Sequence, residues 1–198
     1  MKHCFPKNAT PAGYDCLVRR LQELLARKPQ VIAAIDGRCG SGKTTLAARL
    51  QEELGCAVYH MDDFFLRPVQ RTAERLALPG ENVDHERFLE EVLLPLHGAQ
   101  PVTYRPYLCG QQRLGEPVTI APQRLAVIEG AYACHPSLWA HYDLRVFLTV
   151  DPEEQLRRIE RRSGAERVQQ FRDRWIPLEE AYFAAFDVPA RCDMCLHG

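Results

Sequence analysis

The stretch Asp36-Gly-Arg-Cys-Gly-Ser-Gly-Lys-Thr-Thr45 spaces four residues, Gly37, Gly42, Lys43 and Thr44, in the pattern G-x-x-x-x-G-K-[ST]. Gly37, Arg38, Cys39, Gly40, Ser41 and Gly42 form a loop whose glycines let main-chain N–H groups converge on one small volume. Lys43, Thr44 and Thr45 then open a helix whose positive end points at the same volume, which favours phosphate. The Lys43 ammonium suits the outer phosphates of a nucleotide such as ATP, and the Thr44 hydroxyl is placed to hold Mg²⁺. After Lys28 the chain is rich in arginine and Lys43 is its only lysine, so a compact point charge stands where one is needed.

Three carboxylates could complete that chemistry. Asp62 and Asp63 follow the apolar segment Ala57-Val-Tyr-His-Met61, and Glu129 follows Leu125-Ala-Val-Ile128. A carboxylate at the end of a buried strand beside a phosphate loop can orient Mg²⁺ directly or through water, which assigns Glu129 to the metal with Thr44. An acid at the end of the second strand, Asp62 or Asp63, can instead accept the proton of an attacking hydroxyl, and Asp62 is also a candidate for the metal. Ordinary strand-end turn formers would use the same residue types.

The elements that must position these groups are legible in outline. Val31 to Ile35 is a short apolar, partly β-branched run, as in a buried parallel strand, and Leu46, Leu50 and Leu54 mark a helix after the loop. A first helix is expected over about Ala12 to Arg27, ended by Pro29. Phe64 to Gly80 reads as loop and short helix, and Asp84 to Leu96 as a helix with Phe88, Val92 and Leu96 on one stripe. Pro101 to Pro122 suits a hairpin-like excursion near a substrate site. Leu125 to Ile128 and Leu144 to Val150 are further buried strands. Asp151-Pro-Glu-Glu154 is a helix start, with a capping Asp, Pro in the first turn and Glu three residues after the cap. Pro177 to Phe186 reads as a helix and Cys192 to Leu196 as a last short strand. Strands alternating with helices predict a mainly parallel sheet in a three-layer α/β/α sandwich of the P-loop NTPase type, with ligands at the carboxyl ends of the strands.

With 198 residues and a formal net charge of −1, one domain with a sizeable core is expected, with an N-terminal helical segment over about residues 1–29. The charge gives no electrostatic case for nucleic acid or an anionic membrane as partner. No apolar stretch would span a bilayer and the N-terminus has no hydrophobic signal core, so a cytoplasmic location is expected. A homo-oligomer is compatible with all of this. The eight cysteines are expected as thiols rather than disulfides. Cys192-Asp-Met-Cys195 is a single C-x-x-C pair, open to zinc or redox chemistry or to ordinary packing. Cys39, inside the phosphate loop near a helix N-terminus, is expected to have a lowered thiol pKa.

Four segments in order, Asp36 to Thr45, Met61-Asp-Asp-Phe-Phe65, Glu81-Asn-Val-Asp-His85 and Val127-Ile-Glu-Gly130, resemble the uridine kinase and phosphoribulokinase family of P-loop kinases, from about Val31 onward. The resemblance implies that Asp62 acts as base toward the acceptor hydroxyl and that Asp84 holds acceptor hydroxyls such as those of ribose. It also implies an arginine lid over about residues 155–175, with Arg157, Arg158, Arg161 and Arg162 as the matching cluster and Arg158 and Arg162 as its catalytic members. Guanidinium groups there could neutralise charge on the transferring phosphoryl group. The same arginines could instead pair with Glu153, Glu154 and Glu160 on a solvated helix.

The chain departs from uridine kinases where they read the base. Their Pro-Val-Tyr-Asp segment is replaced by Pro101-Val-Thr-Tyr-Arg-Pro-Tyr107, and no histidine follows until His135. Tyr104, Arg105 and Tyr107 are candidates for the acceptor pocket, with Arg105 suited to a carboxylate or phosphate. The expected function is an ATP- and Mg²⁺-dependent kinase acting on a hydroxyl of a small molecule, a nucleoside on the resemblance. A kinase for a vitamin precursor, sugar or sugar phosphate is one alternative, and a nucleotide-binding switch without phosphotransfer is another.

Overall fold

The computed structural model describes residues 11–198. Helix α1 (Pro11–Arg27) leads into strand β1 (Val31–Gly37), the phosphate loop and helix α2 (Lys43–Leu54). Strand β2 (Ala57–His60) follows and ends in a 3₁₀ turn, Met61–Phe64. After the short helix α3 (Ala73–Leu76), α4 (His85–Phe88) runs through a π turn (Leu89–Leu93) into α5 (Leu94–His97). The excursion predicted between Pro101 and Pro122 is a nested pair of antiparallel ribbons: β3 (Val102–Tyr104) pairs with β6 (Val118–Ile120), and β4 (Tyr107–Leu108) with β5 (Arg113–Leu114).

Strands β7 (Leu125–Glu129), β8 (Leu144–Thr149) and β9 (Met194–His197) complete a five-stranded parallel sheet of order β2-β7-β1-β8-β9. Between β8 and β9 lie α6 (Pro152–Ser163), α7 (Ala165–Gln170), a π turn (Phe171–Trp175), α8 (Ile176–Phe186) and α9 (Val188–Arg191). Asp151 caps α6, accepting from the Glu153 and Glu154 amides, with Pro152 in the first turn.

The two-residue alternation of β1 divides the interior. Val31, Ala33 and Ile35 join Leu17 and Leu21 of α1 and Ala47 and Leu50 of α2. Ile32 and Ala34 face the other way, toward Phe88, Leu96, Tyr182 and Phe183. Both faces of the sheet are therefore covered, as an all-parallel sheet requires.

Candidate active site

Two close approaches put the site together. Gly37 has φ +139°, and a Cβ there would overlap the Leu148 carbonyl oxygen, so only glycine lets the loop leave β1 against β8. Gly130 has φ +142°, and a Cβ on it would lie 2.7 Å from the Met61 Cβ. That contact carries the end of β2, and with it Asp62, up beside Glu129.

The resulting cleft encloses about 930 Å³. Its floor is the phosphate loop from Cys39 to Thr45, with Gly42 as an N-cap of φ 97° that makes no side-chain capping bond. The first amides of α2 thus open toward the cleft without an intrahelical partner. Lys43 Nζ bonds the carbonyls of Gly37 (2.6 Å) and Arg38 (3.0 Å), which arches the loop over its own ammonium. Thr44 Oγ1 donates to Glu129, 3.2 and 3.3 Å from its two oxygens, and His60 Nδ1 lies 2.6 Å from Glu129 Oε1. That bond raises the His60 pKa, since the carboxylate favours the imidazolium.

Asp62 is solvent-accessible yet crowded inside the cleft. That crowding, then the nearby Glu129 charge, raises its pKa, while Lys43, His60 and Arg162 pull it down. Asp63 is committed elsewhere: its carboxylate accepts from the Tyr104 hydroxyl at 3.0 Å and its carbonyl from Arg87 at 2.9 Å. Asp62 lines the cleft and Asp63 does not, which separates the two neighbours that the sequence leaves open.

The lid arginines divide in the same way. Arg158, Arg161 and Arg162 line the cleft, while Arg157 stays outside it, paired with Glu154 at 3.3 Å. Arg158 also pairs with Glu154, at 2.8 Å, and reaches the Gly40 carbonyl at 3.4 Å. Three arginines not singled out in the sequence, Arg71, Arg167 and Arg174, face the same cavity, as does Trp175.

Of the other expected acceptor residues, Asp84, Tyr104, Arg105 and Tyr107, none lines the cleft directly. Asp84 is buried and caps α4: its oxygens take the Arg87 amide (3.2 Å) and the Gln70 side chain (2.7 Å). Tyr104 is buried against Phe64, and Arg105 is exposed and bonded to the Gly115 carbonyl at 2.7 Å. Tyr107 acts at second hand, since its hydroxyl accepts from Arg71 at 3.3 Å. Arg38, within the loop motif, turns away from the cleft to Glu180 (2.6 Å) and Thr149 (2.6 Å), and Ser41 is buried.

The expectation for Cys39 is corrected. Burial and the adjacent Glu179 push its thiol up to about 12, overriding Lys43 and the bond from Gln155. Glu179 is a further residue that sequence reading missed: it is buried, lines the cleft, and accepts the Cys39 amide at 2.9 Å. An acid inside the apolar run Ile176–Phe186 is the signal that could have revealed it. One turn on, Tyr182 donates to Asp36 at 2.9 Å, and Gln155 of α6 bonds the Cys39 carbonyl at 3.0 Å. Within the C-x-x-C pair, Cys192 makes a side-chain contact with Cys134, while Cys195 sits on β9.

The donor set suits a nucleotide triphosphate with a hard divalent ion. Open loop amides and Lys43 meet phosphate oxygens, and a hydroxyl and a carboxylate offer oxygen ligands of the kind Mg²⁺ takes. No helix among the described residues is long and apolar enough to cross a membrane.

Similar folds occur in solved structures. A protein from Bacillus stearothermophilus described as a possible uridine kinase superposes with a TM-score of 0.65 at 22% identity, over 91% of this chain and 98% of that one. A candidate fructose transport system kinase from Silicibacter sp. TM1040 gives 0.67 at 22%, over 92% and 98%. D-glycerate 3-kinase from Cryptococcus neoformans var. grubii gives 0.57 at 17%, over 85% and 87%. At these identities the likeness is one of fold, a P-loop kinase-like α/β architecture. The AAA domain family matches residues 34–174, spanning the phosphate loop, both strand-end acids and the arginine lid, and the chain belongs to that family.

Proposed function

We propose that this chain is a kinase that transfers the γ-phosphoryl group of ATP to a hydroxyl of a small molecule. The observation that carries the reading is the convergence of Asp62, Lys43, the Thr44–Glu129 pair and the lid arginines on one cleft. Loop amides and Lys43 hold the phosphate chain, and Arg158 and Arg162 reach over it from α6. Thr44 and Glu129 would hold Mg²⁺, which when bound neutralises charge on the phosphate oxygens. Asp62 accepts the acceptor's hydroxyl proton, and its raised pKa strengthens it as a base. Trp175 and the lid helices close one side of the cleft and exclude water, which would otherwise take the place of the acceptor.

A nucleoside acceptor is supported by the resemblance in sequence to uridine kinases. A second reading has its own observation: Arg71 enters the cleft from the segment after β2, held by the Leu66 carbonyl (2.9 Å) and the Tyr107 hydroxyl. A fixed guanidinium there favours an acceptor that carries a carboxylate or phosphate. Release of ADP from Mg²⁺-ATP, measured against a panel of nucleosides, sugars, sugar phosphates and hydroxy acids, tests both. Stimulation by one class identifies the acceptor. ATP hydrolysis that no acceptor stimulates overturns the kinase reading in favour of a nucleotide-driven switch.

A further inference from the structure

We propose that Glu81, His85 and His135 form a second, unassigned metal site, which takes a divalent ion of the zinc class. The three side chains come from two segments, Glu81 and His85 from the entry to α4 and His135 from the loop after β7. Their ligand atoms all lie within 4.8 Å of one another. Glu81 Oε1 is 3.1 Å from His85 Nε2 and 3.7 Å from His135 Nε2. Bonds of about 2.0–2.1 Å place neighbouring ligands of a tetrahedral zinc ion roughly 3.4 Å apart, and the two separations bracket that distance.

The surroundings are organised as an outer shell would be. Ser137 Oγ stands 2.6 Å from His135 Nδ1 and 3.0 Å from His85 Nδ1. Ser137 thus occupies the far nitrogen of both rings and leaves both Nε2 atoms facing Glu81. Its amide also donates to His135 Nδ1 at 3.3 Å, a bond that must yield so that Nδ1 takes the ring proton when Nε2 binds the ion. The other oxygen of Glu81 lies 3.0 Å from Arg75 Nε, so Oε1 is the ligating atom. The rings stack at 4.1 Å with 13° between their planes, and to share an ion they must splay apart about the Ser137 anchor. Two nitrogens and one carboxylate oxygen suit zinc, cobalt or nickel, in contrast to the oxygen ligands at Thr44 and Glu129. Water takes the fourth position.

The site lies behind the cleft wall. Asn82, next to Glu81, donates to the Tyr132 hydroxyl at 3.0 Å, and both residues line the cleft. An ion there would fasten the α4 entry to the loop after β7 and fix that wall. The competing reading is a hydrogen-bonded histidine stack that takes up no metal.

Titration of the full chain with Co²⁺, followed by visible absorption, distinguishes them. The expected result is one ion with d–d bands and no thiolate charge-transfer band, lost in His85→Asn and in His135→Asn. Ser137→Ala should weaken binding by about 10–100-fold, as outer-shell changes do. On the unaltered chain, Co²⁺ should protect His85 and His135 from diethyl pyrocarbonate, read by mass spectrometry, so the test survives variants that fail to fold. No uptake, uptake with a thiolate band, uptake unchanged in both histidine variants, or labelling of both histidines indifferent to Co²⁺ would each overturn the site.

Discussion

Tyr104 donates its hydroxyl to Asp63 at 3.0 Å, and this bond turns Asp63 from the cleft while its neighbour Asp62 lines it. Adjacent acids of the same type thereby carry different work. Asp62→Asn should lower kcat by ~10²–10⁴-fold with ATP affinity nearly unchanged, because it removes a proton acceptor and no phosphate contact. Asp63→Asn should keep kcat within a few-fold and cost about 1 kcal/mol of folding stability. Steady-state kinetics and denaturant unfolding of both variants check this, and a reversed pattern would reassign the base.

The raised pKa of Asp62 fixes the sign of the acid limb. A general base works deprotonated, and crowding with the Glu129 charge holds its proton on above the ordinary 3.8. The limb of kcat/KM, which reports the free enzyme, should therefore have its midpoint above 3.8. Glu129→Gln removes the repelling charge and should move the midpoint toward acid, whatever it does to the maximal rate. A limb at or below the ordinary aspartate value would count against Asp62.

The arginines of α6 should be separable by position. Arg162 lines the cleft and Arg157 does not. Arg162→Ala should reduce kcat by ~10²-fold, in the range found for a lost donor to developing charge. Arg157→Ala, which breaks only an exposed pair with Glu154, should stay within about twofold. Equal losses in both would mean that α6 acts through its general positive field.

Cys39 should be a slow thiol. Burial and Glu179 hold it near 12, so little thiolate is present at neutral pH. Glu179→Gln removes a charge that raises that pKa, and alkylation of Cys39 by iodoacetamide should then accelerate. Site-resolved mass spectrometry over time measures both rates. Rapid labelling in the unaltered chain would contradict the assignment.

Much of this architecture is written in local pattern. The apolar run Val31 to Ile35, the glycine loop and the leucines of α2 fall where periodicity puts them, and β2, β7 and β8 lie within a residue or two of their expected spans. Asp62, Glu129, Lys43 and Thr44 meet in the cleft because strand ends and a fixed motif carry them there. The lid is harder to read: the α6 arginines are plain in the sequence, but Arg167 and Arg174, beyond the break at Gly164, line the cleft as well. Asp84 is taken up in capping α4, Tyr104 in packing on Phe64 and bonding Asp63, and Arg105 in a bond to the Gly115 carbonyl, so none of the three lines the cleft. Glu179 meets the phosphate loop from far along the chain, and only its place as an acid in an apolar run hints at that contact.

The position of β1 in the middle of the sheet has a consequence for motion. Its ladder is shared with β7 on one edge and β8 on the other, so alternate amides are held from opposite sides and the strand as a whole is freed only when both neighbours part. Deuterium should reach Ala33 to Ile35 last of all, at a rate set by unfolding of the whole molecule, while the helices over the mouth exchange early. The segment that springs from β1 is thus anchored in the least yielding part of the protein, and breathing that lets a reactant in and out is left to the loops and helices around the mouth.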